Sequence, residues 1–218
     1  MGVGVRHWQG PLMMALVALP LAGCSQFGST LAGRTLQDAL GDGEATHRER
    51  ARELPYASLV AQMEGNRSLL VLAYHNGEAG GDTTLWQARD RATLALEQGW
   101  PASTAGFTSN LLSLNYASPP QEGSRYRVRA HWEDAEGLDH LSIGQATLEC
   151  HAPAPLELPL IELELERCEE RVEWQDAGTS HNTLWRHPVS KRIWAGELEP
   201  WPDAQTIEWQ VARPWWES

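Results

Sequence analysis

The sequence predicts a mainly β protein, an antiparallel β domain preceded by short N-terminal helices. Three observations predict it. Leu160-Ile161-Glu162-Leu163-Glu164-Leu165-Glu166 alternates almost strictly with period two, placing Leu163 and Leu165 on one face and the glutamates on the other, as in a strand with one wet face. Shorter runs of the same kind recur at regular intervals, at Val172–Trp174, Thr183–Trp185, Lys191–Trp194 and Thr206–Val211. Finally, the period changes at Tyr56: helix formers precede it and strand formers follow. Many short strands with turn chemistry between them close into a sandwich or a barrel.

In chain order, the first element is a secretory signal over residues 1–23. Arg6 gives a cationic start, Leu12–Leu19 is an apolar run, and Leu21-Ala22-Gly23 precedes Cys24. The run is too short to be kept as a spanning helix. A cysteine directly after Leu-Ala-Gly resembles the bacterial lipobox. That resemblance implies a diacylglycerol on the Cys24 thiol, cleavage before Cys24 and acylation of the freed amine. Each buried methylene contributes about 0.8 kcal/mol, and two lipid signals suffice for stable anchoring. Serine rather than aspartate at position 25 implies, in the same pathway, the outer membrane, with the protein facing the periplasm.

Residues 24–55 read as a lipidated tether with short helices. Leu31, Leu36 and Leu40 sit at helical spacings, and Glu44 to Glu53 is a polar run of good helix formers. Leu54-Pro55 ends it, because the residue before a proline is pushed out of the helical region. The β domain occupies residues 56–218. Tyr56–Met63 and Ser68–Tyr74 read as strands joined by Glu64–Arg67, and His75–Asp82 as a glycine-rich turn. Thr83–Ala88 and Ala92–Leu96 follow as strands, whereas Leu111–Tyr116 fits either helix or strand. Arg125–Trp132 alternates, a turn sits at Glu136-Gly137, and His140–Cys150 continues the pattern.

A formal net charge of −12 argues against nucleic acid and against docking on anionic headgroups. Cys24 belongs to the lipid, leaving Cys150 and Cys168 as a pair suited to a disulfide in an oxidising compartment, or else as two buried thiols. Zinc is not expected, since neither cysteine has a close cysteine partner.

No catalytic residue is assigned. Glu133, Asp134, Glu136 and Asp139 beside His131 and His140 form the richest polar cluster, but Gly137 in their midst makes them a solvated hairpin tip. The histidines lack metal-ligand spacing, and neither a nucleophile elbow nor a phosphate loop is present. No cofactor is implied. Arg125, Arg127 and Arg129 share one strand face, where they could meet an anionic glycan or a partner's carboxylates. Trp185 and Trp194 are candidate sugar-stacking rings among the tryptophans crowded toward the C-terminus, with core packing as the competing role.

Leu54-Pro55-Tyr56-Ala57-Ser58-Leu59, Leu69–Ala73, Trp86, Gly99–Thr104, Gly106-Phe107, Asn110-Leu111, Cys168-Glu169-Glu170, Asn182-x-Leu184-Trp185 and Pro200 to Pro214 together resemble the YjbF/GfcB lipoproteins of group 4 capsule and exopolysaccharide secretion. Trp100, Ala195 and Glu197 depart from that pattern, standing where arginine, serine and glutamine are usual. The resemblance implies a β-barrel-like domain in a polysaccharide export system, without established catalytic residues. The expected function is a non-enzymatic outer-membrane accessory that docks an export protein, with a periplasmic glycan-binding module as the alternative. Expected partners are membrane lipid through acylated Cys24, an outer-membrane polysaccharide-export protein, and polysaccharide itself.

Overall fold

Polar, charge-rich Glu44–Glu53 forms helix α1. A helix with so weak an apolar stripe depends on tertiary contacts rather than on its own propensity. It supplies them through His47 and Ala51, which are buried, while the Arg213 guanidinium donates to the carbonyls of Ala51 and Arg52. The computed structural model describes residues 1–2, 44–78, 81–175 and 178–216. Cys24 with its lipobox and the helix expected around Leu31, Leu36 and Leu40 therefore lie outside the described residues.

Thirteen strands follow: β1 (Ser58–Met63), β2 (Asn66–Glu78), β3 (Gly81–Gln87), β4 (Thr93–Glu97), β5 (Trp100–Ala105), β6 (Asn110–Tyr116), β7 (Arg125–Glu133), β8 (Asp139–Cys150), β9 (Ala154–Glu157), β10 (Glu162–Trp174), β11 (Thr179–Arg186), β12 (Ile193–Leu198) and β13 (Ile207–Arg213). They form one antiparallel sheet in the order β5-β4-β3-β2-β1-β13-β12-β11-β10-β8-β7-β6, with β9 added alongside β10. The sheet curls until its two edges meet. Across that seam the Leu111 amide donates to Thr104 Oγ1 at 2.9 Å, and the rings of Trp100 and Tyr116 pack 5.1 Å apart. The result is a nearly closed barrel, which shields edges that would otherwise invite pairing.

Several expectations are sharpened. Leu111–Tyr116 is strand. The glycine-rich stretch predicted as a turn is mostly ladder, with Gly77 opposite Asp82 and Glu78 opposite Gly81. Strand β5 went unread because Pro101, which lacks an N–H, sits inside it. Proline is tolerated there because β5 ends the sheet.

The barrel interior is filled by Leu59, Leu70, Trp86, Leu94, Leu96, Leu111, Val128, Leu184 and Trp209, among others. Gly196 is required there. A Cβ at that position would lie 2.2 Å from the Trp209 ring. On the outer face a second core forms from Leu158, Leu165, Trp194, Ala195 and Val211, with Leu163, Trp185, Trp215 and Trp216 against it. Strand β10 serves both cores. Leu163 and Leu165 face the outer one, whereas Cys168, Glu170, Val172 and Trp174, of opposite parity, face the barrel interior. Beyond Leu165 the outward positions Arg167, Glu169, Arg171 and Glu173 are exposed. Cys150 and Cys168 lie opposite each other on β8 and β10, with Cα atoms 4.0 Å apart, and are joined by a disulfide.

Candidate functional site

Antiparallel alternation sends turns 64–65, 134–138 and 199–206 to one end of the barrel. Turns 98–99, 117–124 and 187–192 lie at the other end with residues 214–216. That second end opens into a cleft of about 410 Å³, within the range of small-ligand sites. Leu148, Cys168, Leu184 and Ile193 form its floor, Trp100, Trp215 and Trp216 its aromatic walls, and Arg186, Lys191 and Arg192 a cationic rim.

The rim is built by the β11–β12 turn. The His187 Nδ1 accepts the amides of Val189 and Ser190, the Lys191 amide returns to the His187 carbonyl at 2.9 Å, and Lys191 takes a left-handed φ of 56°. Lys191 Nζ then reaches both oxygens of Glu166, at 2.8 and 2.9 Å, and Arg186 Nε donates to Glu166 Oε2 at 2.8 Å. Burial pushes the Glu166 carboxyl up, but its bonds to Lys191 and Arg186 outweigh that and hold it below the ordinary range. Glu122 lies 3.6 Å from Arg186.

The walls are equally fixed. Trp215 packs edge-on against Trp86 and Trp216, and donates its Nε1–H to Asp82 at 3.3 Å. His75 also contacts Asp82, at 2.7 Å. Trp216 meets Trp194 edge-on, and the Arg192 guanidinium lies 5.0 Å from its ring centroid, a cation–π contact.

Directly beneath the floor, one register step along β10, a polar layer interrupts the apolar interior. Glu170, Leu148 and Asn182 are neighbours across the ladders. Glu170 is 1 % exposed. It accepts the Tyr126 hydroxyl at 2.5 Å and the Asn182 amide at 2.7 Å, while Asn182 Oδ1 accepts the Glu199 N–H at 2.8 Å. Burial raises the Glu170 pKa, and its two hydrogen bonds offset only part of that. Burial and the Glu170 charge likewise push the Tyr126 and Tyr116 phenols well above their usual value. The buried Tyr116 hydroxyl has no hydrogen-bond partner.

Of the residues that the sequence singled out, Cys168 lies in the cleft floor, whereas the five binding candidates do not line the cleft. Arg125, Arg127 and Arg129 are exposed on the outer face of β7, and among the described residues none has an ion-pair partner. Trp194 is only 8 % exposed and, with Trp185, packs in the second core. Trp194 therefore supports the cleft wall from behind through Trp216, and presents no open face of its own. The acidic hairpin tip of β7–β8 is knitted to itself. Asp134 accepts the amides of Glu136 and Leu138 and contacts His140 at 2.6 Å. Cys150, Cys168 and Glu166 cluster closely, but the sulfurs are joined to each other and the carboxylate is held by its two cations. One signal for the cleft was present in the sequence. Arg186, Lys191 and Arg192 fall within seven residues of an acidic chain, flanked by tryptophans.

The profile of the family described as group 4 capsule polysaccharide lipoprotein GfcB, YjbF matches residues 33–211. The chain belongs to that family. The hypothetical lipoprotein YmcC from Escherichia coli K12 superimposes with a TM-score of 0.65 at 18% identity, covering 83% of this chain and 94% of its own. That likeness is one of fold. A protein of YmcC-like fold from Bacteroides fragilis NCTC 9343 aligns with a TM-score of 0.36 at 8% identity, over 72% of this chain and 93% of its own. No curated protein sequence matches the chain. Membership of the GfcB/YjbF family makes this a lipoprotein of capsule polysaccharide systems, with a barrel-like β domain as its folded body.

Proposed function

We propose that the protein is a non-enzymatic accessory factor for export or assembly of a capsule or exopolysaccharide, held at the periplasmic face of the outer membrane by acylated Cys24. The barrel-end cleft handles the polymer, and the exposed outer face docks an outer-membrane export protein. The observation that carries this reading is the aromatic-walled, cation-rimmed cleft in a member of a capsule polysaccharide lipoprotein family. Tryptophan rings offer broad apolar faces to the C–H faces of sugars, while the rim supplies donors for hydroxyl and anionic groups. The position of the cleft favours polymer contact there rather than at the β7 arginines or at Trp185 and Trp194.

Deleting the gene lowers secreted polymer and leaves cytoplasmic precursors intact, and complementation with Cys24→Ser fails to restore secretion. Mass spectrometry of the mature protein shows an acylated N-terminal Cys24. Unchanged secretion on deletion removes the export role, and a free amine at Cys24 removes the anchor.

A further inference from the structure

Arg192 differs from the other two cations of the rim. Arg186 and Lys191 are both drawn onto Glu166, with Glu122 beyond Arg186. Asp82, the carboxylate in the cleft lining, is occupied by the Trp215 N–H and by His75. Among the described residues no carboxylate engages Arg192, whose guanidinium rests against Trp216. An arginine stacked on a ring keeps the N–H fork at its edge available, and that fork matches a carboxylate in two parallel bonds. Arg186 and Lys191 are balanced by Glu166 and Glu122, so Arg192 supplies the rim's uncommitted positive charge in a chain that carries −12 overall. The ring under Arg192 is clamped from two sides, by Trp194 and Trp215, and the opposite wall, Trp100, is held by Tyr116. Fixed rings beside an unpaired guanidinium form a preorganised site, in which little ordering cost remains to be met on binding.

We infer that this cleft is selective for a sugar carrying a carboxylate. The pyranose ring lies against the tryptophan walls, and its carboxylate is received by Arg192. The inference rests on the proposed handling of polymer in the cleft and adds the class of sugar that is held.

The test uses the full lipoprotein in detergent micelles, with tryptophan fluorescence and calorimetry as readouts. The probes are a linear glucuronate tetramer, a glucose tetramer of the same linkage and glucose 6-phosphate. A charge-assisted bidentate contact is worth roughly a tenfold or greater preference, so the uronate binds about tenfold tighter than the neutral tetramer, and less so at high salt. Arg192→Gln, an exposed position, brings the uronate-to-neutral affinity ratio close to one by weakening uronate binding far more than binding of the neutral tetramer, with near-ultraviolet circular dichroism verifying the fold. Equal affinity for the two tetramers, or uronate binding indifferent to Arg192→Gln, overturns the selectivity but leaves polymer handling standing. Tight glucose 6-phosphate binding without uronate binding overturns the carboxylate assignment. Failure of every probe to bind overturns both the selectivity and the cleft as the polymer site.

Discussion

The hydroxyl of Tyr126 donates to the carboxyl of Glu170 at 2.5 Å inside the barrel, across strands that are not neighbours in the sheet. With the amide of Asn182 on the other oxygen, the carboxyl has a donor on each side. The arrangement ties β7, β10 and β11 together immediately under the cleft floor. A buried polar network of this kind is tolerable only while each member stays paired.

Burial of that carboxyl makes stability depend on pH, its two hydrogen bonds offsetting only part of the effect. The folded-state pKa of Glu170 lies above its unfolded value, so the folded protein favours the protonated form. The associated stability is complete below the unfolded value of about 4.3 and is lost as pH rises through the raised folded value. Glu170→Gln cannot ionise. The difference in unfolding free energy between wild type and this variant therefore shifts in the variant's favour as pH climbs above about 4.3, as urea melts at a series of pH values will show. A flat difference across that range would refute the ionisation argument. Tyr126→Phe leaves one side of the buried carboxyl unpaired and costs about 1–3 kcal/mol, read from the same urea melts.

The Cys150–Cys168 bridge fastens β8 to β10 at the edge of the cleft floor. Replacing both cysteines with alanine lowers stability by about 2–5 kcal/mol, measured by thermal or urea unfolding. Because Cys168 is part of the floor, the same variant binds saccharide more weakly than its residual folded fraction accounts for. Unchanged binding by the folded fraction would show that β8 and β10 hold the cleft without the bridge.

Gly196 and Trp209 face each other on β12 and β13, with no room for a methyl group between them. Gly196→Ala costs about 1–3 kcal/mol through overpacking. Combining it with Trp209→Leu gives less destabilisation than the two single changes added together, because the smaller side chain vacates the space that the new Cβ needs. Strict additivity in that double-mutant cycle would mean that the backbone, rather than the ring, gives way.

Alternation in the sequence was enough to place strands at Leu59, Val128 and Leu163, because period two is a local property of the chain. The proline after Leu54 and the charge-rich run before it fixed α1 in the same way. Which face of a strand is buried was not local. In β10 the leucines at 163 and 165 and the glutamate at 170 lie on opposite faces, yet all three are covered. The outer core covers one face near the barrel's end and the barrel interior covers the other further along. Glu170, which the leucine–glutamate rhythm assigns to solvent, is consequently the most deeply buried carboxyl among the described residues. The cleft was hidden for a related reason. Trp100, Arg192 and Trp216 lie on separate strands and turns, and only closure of the sheet brings their side chains around one space. Short-range pattern thus determined the strands and the helix. Long-range closure decided burial and the cleft, since both depend on which distant segments come to lie against each residue.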